Sequence, residues 1–231
     1  MPRSADRPVR PGRDCALVVF AKAPIPGTVK TRLVPPLTHP QAARLHAAFV
    51  EDTLQKVARL DMSRYLAYTP TPGTPSLLAC ARRYHARMIA QGAGDLGARM
   101  QRVTQRLLSR YSKVLIIGTD SPTLPVAFIE EARRQLDRAD LVFGPSEDGG
   151  YYLLGQRRLC PDIFTGIGWG GPDVLAATLK KVPRERVALL PTWYDIDRPS
   201  DLVRLRADLN GATDCPKTTA WFRAHERRTR L

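Results

Sequence analysis

The stretch Ile116-Ile117-Gly118-Thr119-Asp120-Ser121-Pro122 places a single carboxylate directly after an apolar run. Lys113 to Ile117 reads as a buried parallel strand, and Pro122 forbids further ladder pairing beyond it. An acid at the carboxyl end of such a strand lies where open α/β sheets bind ligands. Beside phosphates, it is also a common way to hold Mg²⁺. A turn or helix-capping Asp is the competing reading. Upstream, the segment Phe20 to Leu33 carries Lys22, Lys30 and Arg32, is stiffened by Pro24 and Pro26, and is released by Gly27. A compact ammonium and a forked guanidinium in one loop suit a polyphosphate or a departing pyrophosphate. The spacing is not that of a Walker loop, and a solvated basic loop would share the composition.

Two further segments carry acids. Gly144-Pro145-Ser146-Glu147-Asp148-Gly149-Gly150-Tyr151 follows a short apolar run. Gly149 and Gly150 would let backbone approach a ligand while Asp148 and Tyr151 face an acceptor or a ribose; a hairpin turn is the alternative. In Tyr194-Asp195-Ile196-Asp197-Arg198-Pro199-Ser200-Asp201, a helix start accounts for Asp201 but leaves Asp195 and Asp197 unexplained.

These acids and bases need a scaffold, and the chain alternates strand-like with helical runs. Residues 15–20, 65–69, 87–90, 113–118 and 141–144 read as strands, and 151–154 as a further one, antiparallel. Leu45, Phe49, Leu54 and Val57 form one helical stripe after a capping Thr38. Leu96, Met100, Val103 and Leu107 form a second. Both stripes are core packing. The alternation implies an α/β fold with a single doubly wound, mainly parallel sheet covered on both faces. The expected organisation is a flexible basic tail over 1–14, one domain over 15–210 and a basic tail over 211–231.

The 231 residues carry a net charge of +14, of which residues 1–14 hold +2 and residues 217–231 hold +4. With the rest spread along helices and no recognition motif present, the charge argues against a nucleic-acid partner. Cys15, Cys80, Cys160 and Cys215 are too dispersed for a zinc site or a disulfide framework. No apolar run approaches the roughly 20 residues of a membrane span, and residues 1–14 lack the apolar centre of a signal peptide. The expectation is a cytoplasmic protein with no membrane partner.

The segments FAKAPIPGTVKTRL, QGAGDLGARM, IGTDSP, GPSEDGGYYLLG and DIDRPSDL occur here in one order over roughly residues 15–209. In that order they resemble the bacterial radical-SAM/selenodomain-associated transferase 1 family. That family has the nucleotide-diphospho-sugar transferase (glycosyltransferase-A-like) fold and is similar to 2-phospho-L-lactate guanylyltransferase. The resemblance implies a nucleoside triphosphate or nucleotide sugar as one partner and a small-molecule acceptor as the other. It also implies Mg²⁺, with Mn²⁺ as a substitute, and is compatible with a homodimer. It gives Lys30 and Arg32 a grip on phosphates, with Lys22, Gly27, Thr31, Gly94 and Asp95 at the nucleotide, and it makes Asp120 and Asp197 the metal ligands. At Asp120 the chain lacks the Asp-x-Asp motif of type-A sugar transferases, since Ser121 and Pro122 follow it. The expected activity is therefore nucleotidyl transfer to a phosphorylated or phosphonate acceptor with pyrophosphate release. Glycosyl transfer is the first alternative and a basic nucleic-acid-binding protein the second.

Overall fold

A computed structural model describes residues 14–210 and 214–229. Seven strands form one sheet: β1 (Cys15–Lys22), β2 (Ser63–Thr69), β3 (Arg87–Ala90), β4 (Lys113–Ile117), β5 (Leu141–Pro145), β6 (Tyr151–Gln156) and β7 (Val187–Leu189). Their order is β3-β2-β1-β4-β6-β5-β7, and only β6 runs antiparallel to its neighbours. The helices are α1 (His39–Val57), α2 (Pro75–Arg83), α3 (Leu96–Leu108), α4 (Val126–Gln135), α5 (Val174–Leu179), α6 (Pro199–Leu209) and α7 (Pro216–Thr229).

The central strands are apolar at successive positions because both of their faces are covered. Cys15, Leu17, Val19 and Ala21 of β1 pack with α1, α2 and α4, while Ala16 and Val18 pack with α3 and the turn carrying Ile163 and Phe164. A third cluster joins Leu33, Leu45, Phe49, Tyr194, Ile196 and Leu205, with Trp221 and Phe222 against it. The α1 start is fixed by a capping box, in which Thr38 Oγ1 accepts from Gln41 N and Gln41 Oε1 accepts from Thr38 N. From β1 the chain builds outward to β2 and β3, then crosses back to add β4 on the other side of β1. The switch point therefore lies between the carboxyl ends of β1 and β4, where the cationic loop and Asp120 begin.

One sequence expectation needs correction. The segment 211–231 is not simply a tail, since its described part contains α7, which docks on α1. Buried Asp52 accepts from the amides of Lys217 and Thr218 at 2.9 and 2.8 Å and from Thr218 Oγ1 at 2.6 Å. Of the expected N-terminal tail, residues 1–13 lie outside the described residues, whereas Asp14 is anchored by Arg133 at 3.1 Å. β7 was not foreseen. The four cysteines are free thiols, and among the described residues no helix is long and apolar enough to cross a membrane.

Candidate active site

The site is assembled from the loops that follow β1 and β4 and from the segment after β7, which runs back past the end of β5 to reach the Asp120 loop. After β1, the chain turns at Gly27 and reaches Lys30, whose backbone is left-handed at φ 50°. A side-chain-bearing residue holds that conformation at a cost of order 1 kcal/mol or more, so the surroundings must enforce it. Enforcement comes from the 3₁₀ turn Thr31–Leu33, which drives Leu33 into the third cluster. The result points Lys30 inward, with only 4% of its side chain exposed.

Lys30 Nζ lies 2.7 Å from Asp120 Oδ1 and 3.2 Å from Asp197 Oδ1, and it also donates to the Ile196 carbonyl. Arg32 Nη1, on the exposed side, holds Asp197 Oδ2 at 3.0 Å. Ile196 N donates to the Asp120 carbonyl at 2.8 Å, tying the second and third loops together by backbone. Asp201, at the start of α6, accepts from the amides of Asp197 and Arg198 at 2.9 and 2.6 Å and so orients Asp197. Burial pushes the Lys30 ammonium down, but the Asp120 and Asp197 charges outweigh it and raise its pKa overall. Burial likewise opposes ionisation of Asp120, yet Lys30 keeps that carboxyl below the usual range. Asp120 still presents 47% of its side chain to the cleft.

The cleft above this triad has a volume of about 640 Å³. Lys22, Thr31, Asp148, Gly150 and Tyr151 line it together with Lys30, Arg32, Asp120 and Asp197. Gly27, Gly94, Asp95 and Gly149 lie outside that lining. Asp95 caps α3 by accepting from Ala98 N at 2.8 Å, and Gly27 and Gly94 make turns at positive φ. Gly149 also has positive φ, and a Cβ there would sit 1.7 Å from the Pro172 carbonyl oxygen, so it closes a loop contact.

Several lining residues had no signal, or an unread one, in the sequence. His46 belongs to the buried face of α1; its Nε2 lies 3.1 Å from the Lys22 carbonyl and must therefore carry the proton, leaving Nδ1 as an acceptor. Burial pushes the His46 pKa down. Asp195 lines the cleft beside Ser146, whose hydroxyl donates to it at 3.2 Å. Its pKa is pushed up to about 6 by burial and by the charges of Asp148 and Asp197. Trp169 lies edge-on to Tyr151 with ring centroids 6.4 Å apart, and its indole fits against Gly97, where a Cβ would approach within 2.5 Å.

Among the described residues, no three His, Cys, Asp or Glu side chains close around a cation site. The cleft instead brings together the carboxylates of Asp120 and Asp197, which share Lys30 as counter-charge, with Asp195 and Asp148 lining the same space. That donor set fits Mg²⁺ or Mn²⁺, which use one or two carboxylates and take their remaining ligands from substrate phosphates and water.

A family model described as an uncharacterized protein conserved in bacteria (DUF2064) matches residues 53–171. The fold is shared with a Desulfovibrio desulfuricans G20 protein provisionally assigned as a nucleotide-diphospho-sugar transferase, at 35% identity and a TM-score of 0.83, over 93% of this chain and 96% of that one. It is shared more remotely with 4-diphosphocytidyl-2C-methyl-D-erythritol synthase from Anaerococcus prevotii DSM 20548, at 13% identity and a TM-score of 0.60, over 86% of this chain and 96% of that one. Glucosyl-3-phosphoglycerate synthase from Mycobacterium tuberculosis, solved with Mg²⁺ and uridine diphosphate, is similar at 13% identity and a TM-score of 0.52, over 89% of this chain and 80% of that one. No curated protein matches the sequence. With the family model covering half its length and a 35%-identical structure covering nearly all of it, the chain belongs to the bacterial DUF2064 family and carries the nucleotide-diphospho-sugar transferase fold.

Proposed function

We propose that the protein is a nucleotide-dependent transferase, and specifically a Mg²⁺-dependent nucleotidyltransferase. It would transfer a nucleoside monophosphate from a nucleoside triphosphate to a small phosphorylated or phosphonate acceptor. The observation that carries this is the Lys30 ammonium set between Asp120 and Asp197, with Arg32 beside it, at the topological switch point. An acceptor oxygen attacks the α-phosphorus in line, a new P–O bond forms, and the bond to the β-phosphate oxygen breaks to release pyrophosphate. Asp120 and Asp197 would hold the divalent cation, which would neutralise phosphate charge and align the reacting groups. Lys30 and Arg32 face the pyrophosphate whose charge grows as it leaves, and so bind the transition state more tightly than the ground state. Lys22 adds a third cation at the mouth of β1. Asp148 and Tyr151 face the acceptor or the ribose.

This reading keeps the finer resemblance, to the radical-SAM/selenodomain-associated transferase 1 family and to 2-phospho-L-lactate guanylyltransferase, as part of the proposal. It places the activity in one cytoplasmic domain formed by residues 15–210 together with the docked helix α7. A second reading, glycosyl transfer from a nucleotide sugar, is favoured by the assignment given to the 35%-identical relative. Thermal stabilisation tests the shared ground of both. Nucleoside triphosphates or nucleotide sugars should raise the melting temperature only with Mg²⁺ or Mn²⁺, and EDTA should abolish the shift. Binding that ignores EDTA and weakens steeply with salt would point instead to nucleic acid.

A further inference from the structure

Lys56 of α1 is a buried cation outside the cleft, with 3% of its side chain exposed. Its three N–H groups are fully used: Nζ donates to the Pro122 carbonyl at 2.6 Å and the Leu124 carbonyl at 2.9 Å, and it pairs with Asp214 Oδ2 at 3.0 Å. Pro122 and Leu124 belong to the loop that carries Asp120. The Pro122 carbonyl receives a second donor, Cys215 Sγ, at 3.0 Å. One turn earlier on the same face of α1, Asp52 caps the start of α7 through Lys217 and Thr218. The C-terminal segment is thus bolted to α1 at two neighbouring points, and from there it grips the Asp120 loop from beneath. Trp221 and Phe222 of α7 also pack against the cluster that holds Leu33, the anchor of the Lys30 turn.

We propose that Lys56 and residues 214–218 form a strut that fixes the Asp120 loop, Lys56 acting as a positioning residue for the chemistry. This rests on the nucleotidyltransferase reading. The strut is a polar one because the 118–124 loop turns sharply and leaves carbonyls facing inward, where only a buried donor can satisfy them. Residues that orient a metal-binding or reacting group commonly change affinity or activity by roughly 10- to 100-fold when removed.

The test compares Lys56→Met, Asp214→Asn and Cys215→Ala with Asp140→Asn. Asp140 is buried between Arg157 and Arg186 at the start of β5, on the opposite edge of the sheet, and serves as a reference for general destabilisation. Amide hydrogen exchange over residues 118–124 and the Mg²⁺ concentration giving half-maximal transfer are measured on each full-length variant. We expect faster exchange in that loop and a Mg²⁺ requirement raised about tenfold in the strut variants, with a smaller change in nucleotide KM. The reference should show neither. Should Lys56→Met not fold, Asp214→Asn, at a half-buried position, carries the comparison. If the wild-type protein transfers nothing, the functional reading fails and exchange alone decides the strut. Exchange over 118–124 unchanged in Asp214→Asn and Cys215→Ala overturns the strut whatever the activity.

Discussion

The two walls of the cleft are built on different plans. On the wall backed by α1, α6 and α7, Lys30, Arg32, Asp120 and Asp197 neutralise one another at 2.7 to 3.2 Å, and a capping carboxylate and a backbone bridge hold the acids in place. On the wall backed by α3 and α5, Trp169 Nε1 and Tyr151 Oη are buried without a hydrogen-bond partner among the described residues. Arg99, which also lines the cleft, is held among the described residues through its Nε on the Gly94 carbonyl, with no carboxylate there against the rest of its guanidinium. Trp169 sits in a run with glycines at 166, 168, 170 and 171, a backbone that can adapt. Unpaired buried donors are costly, and a ligand that accepts from them recovers that cost. The first wall is fixed by its own ion pairs, as the proposed reaction requires, whereas the second keeps donors that a ligand could complete.

The sharpest way to break this contrast is Asp120→Asn. The fold should survive, since the side chain faces the cleft, while kcat falls by roughly 10³-fold or more with loss of the charge proposed to hold the cation. Near-normal turnover by the purified variant would remove Asp120 from the chemistry. Next come Lys30→Ala and Arg32→Ala, each expected to lower kcat by about 10²- to 10³-fold and to weaken inhibition by pyrophosphate. The two should separate in melting temperature. Lys30→Ala leaves Asp120 and Asp197 without their shared counter-charge and should lower it clearly, whereas Arg32, with 65% of its side chain exposed, should hardly alter it. Equal effects on stability would mean that the buried ammonium does not organise the acids.

The second wall should respond differently. Trp169→Ala and Arg99→Ala should raise one substrate's KM by roughly tenfold with kcat little changed, the signature of lost uniform binding. If both lower kcat as severely as Lys30→Ala, recognition and reaction are not divided between the walls. The smallest effect concerns His46. Its folded pKa is lowered, so between that value and the usual 6.5 or so the unfolded chain binds a proton that the native state does not. The His46 contribution should therefore slope stability downward as pH drops from 7 toward 5, against an opposite slope from Asp195, whose raised pKa of about 6 lets the native state take up a proton over the same range. His46→Gln, which keeps a donor for the Lys22 carbonyl, should take away the downward part of the slope in denaturant titrations; an unaltered slope would assign that part to another group.

The first wall was readable from the amino-acid sequence because its parts are local. A strand, a proline stop and one acid mark Asp120, two lysines and an arginine crowd one loop, and the two acids before α6 exceed what a helix start requires. The antiparallel β6 followed from the Gly149-Gly150 break in the same way. Asp195 was visible as an unexplained acid, but its neighbours Asp148 and Ser146 are distant in sequence, so its environment was not. His46 was hidden because its spacing matches that of the apolar stripe on α1, and Trp169 because a lone aromatic among glycines has no period. β7 escaped because it is three residues long with Leu189 exposed. The helix α7 read as a tail because its composition is basic and weakly apolar. Its docking depends on Asp52, some 165 residues away, a pairing that only the fold brings about.

The most direct test of the division between a fixed reaction wall and an adaptable recognition wall is to identify the leaving group. The protein is incubated with Mg²⁺, each nucleoside triphosphate and a panel of small phosphate and phosphonate acceptors, and in parallel with nucleotide sugars, and both pyrophosphate and nucleoside diphosphate are quantified. The account predicts acceptor-dependent pyrophosphate release from a triphosphate, lost in Asp120→Asn and inhibited by added pyrophosphate. Release of nucleoside diphosphate from a nucleotide sugar, with no pyrophosphate from any triphosphate, would contradict it and establish glycosyl transfer in its place.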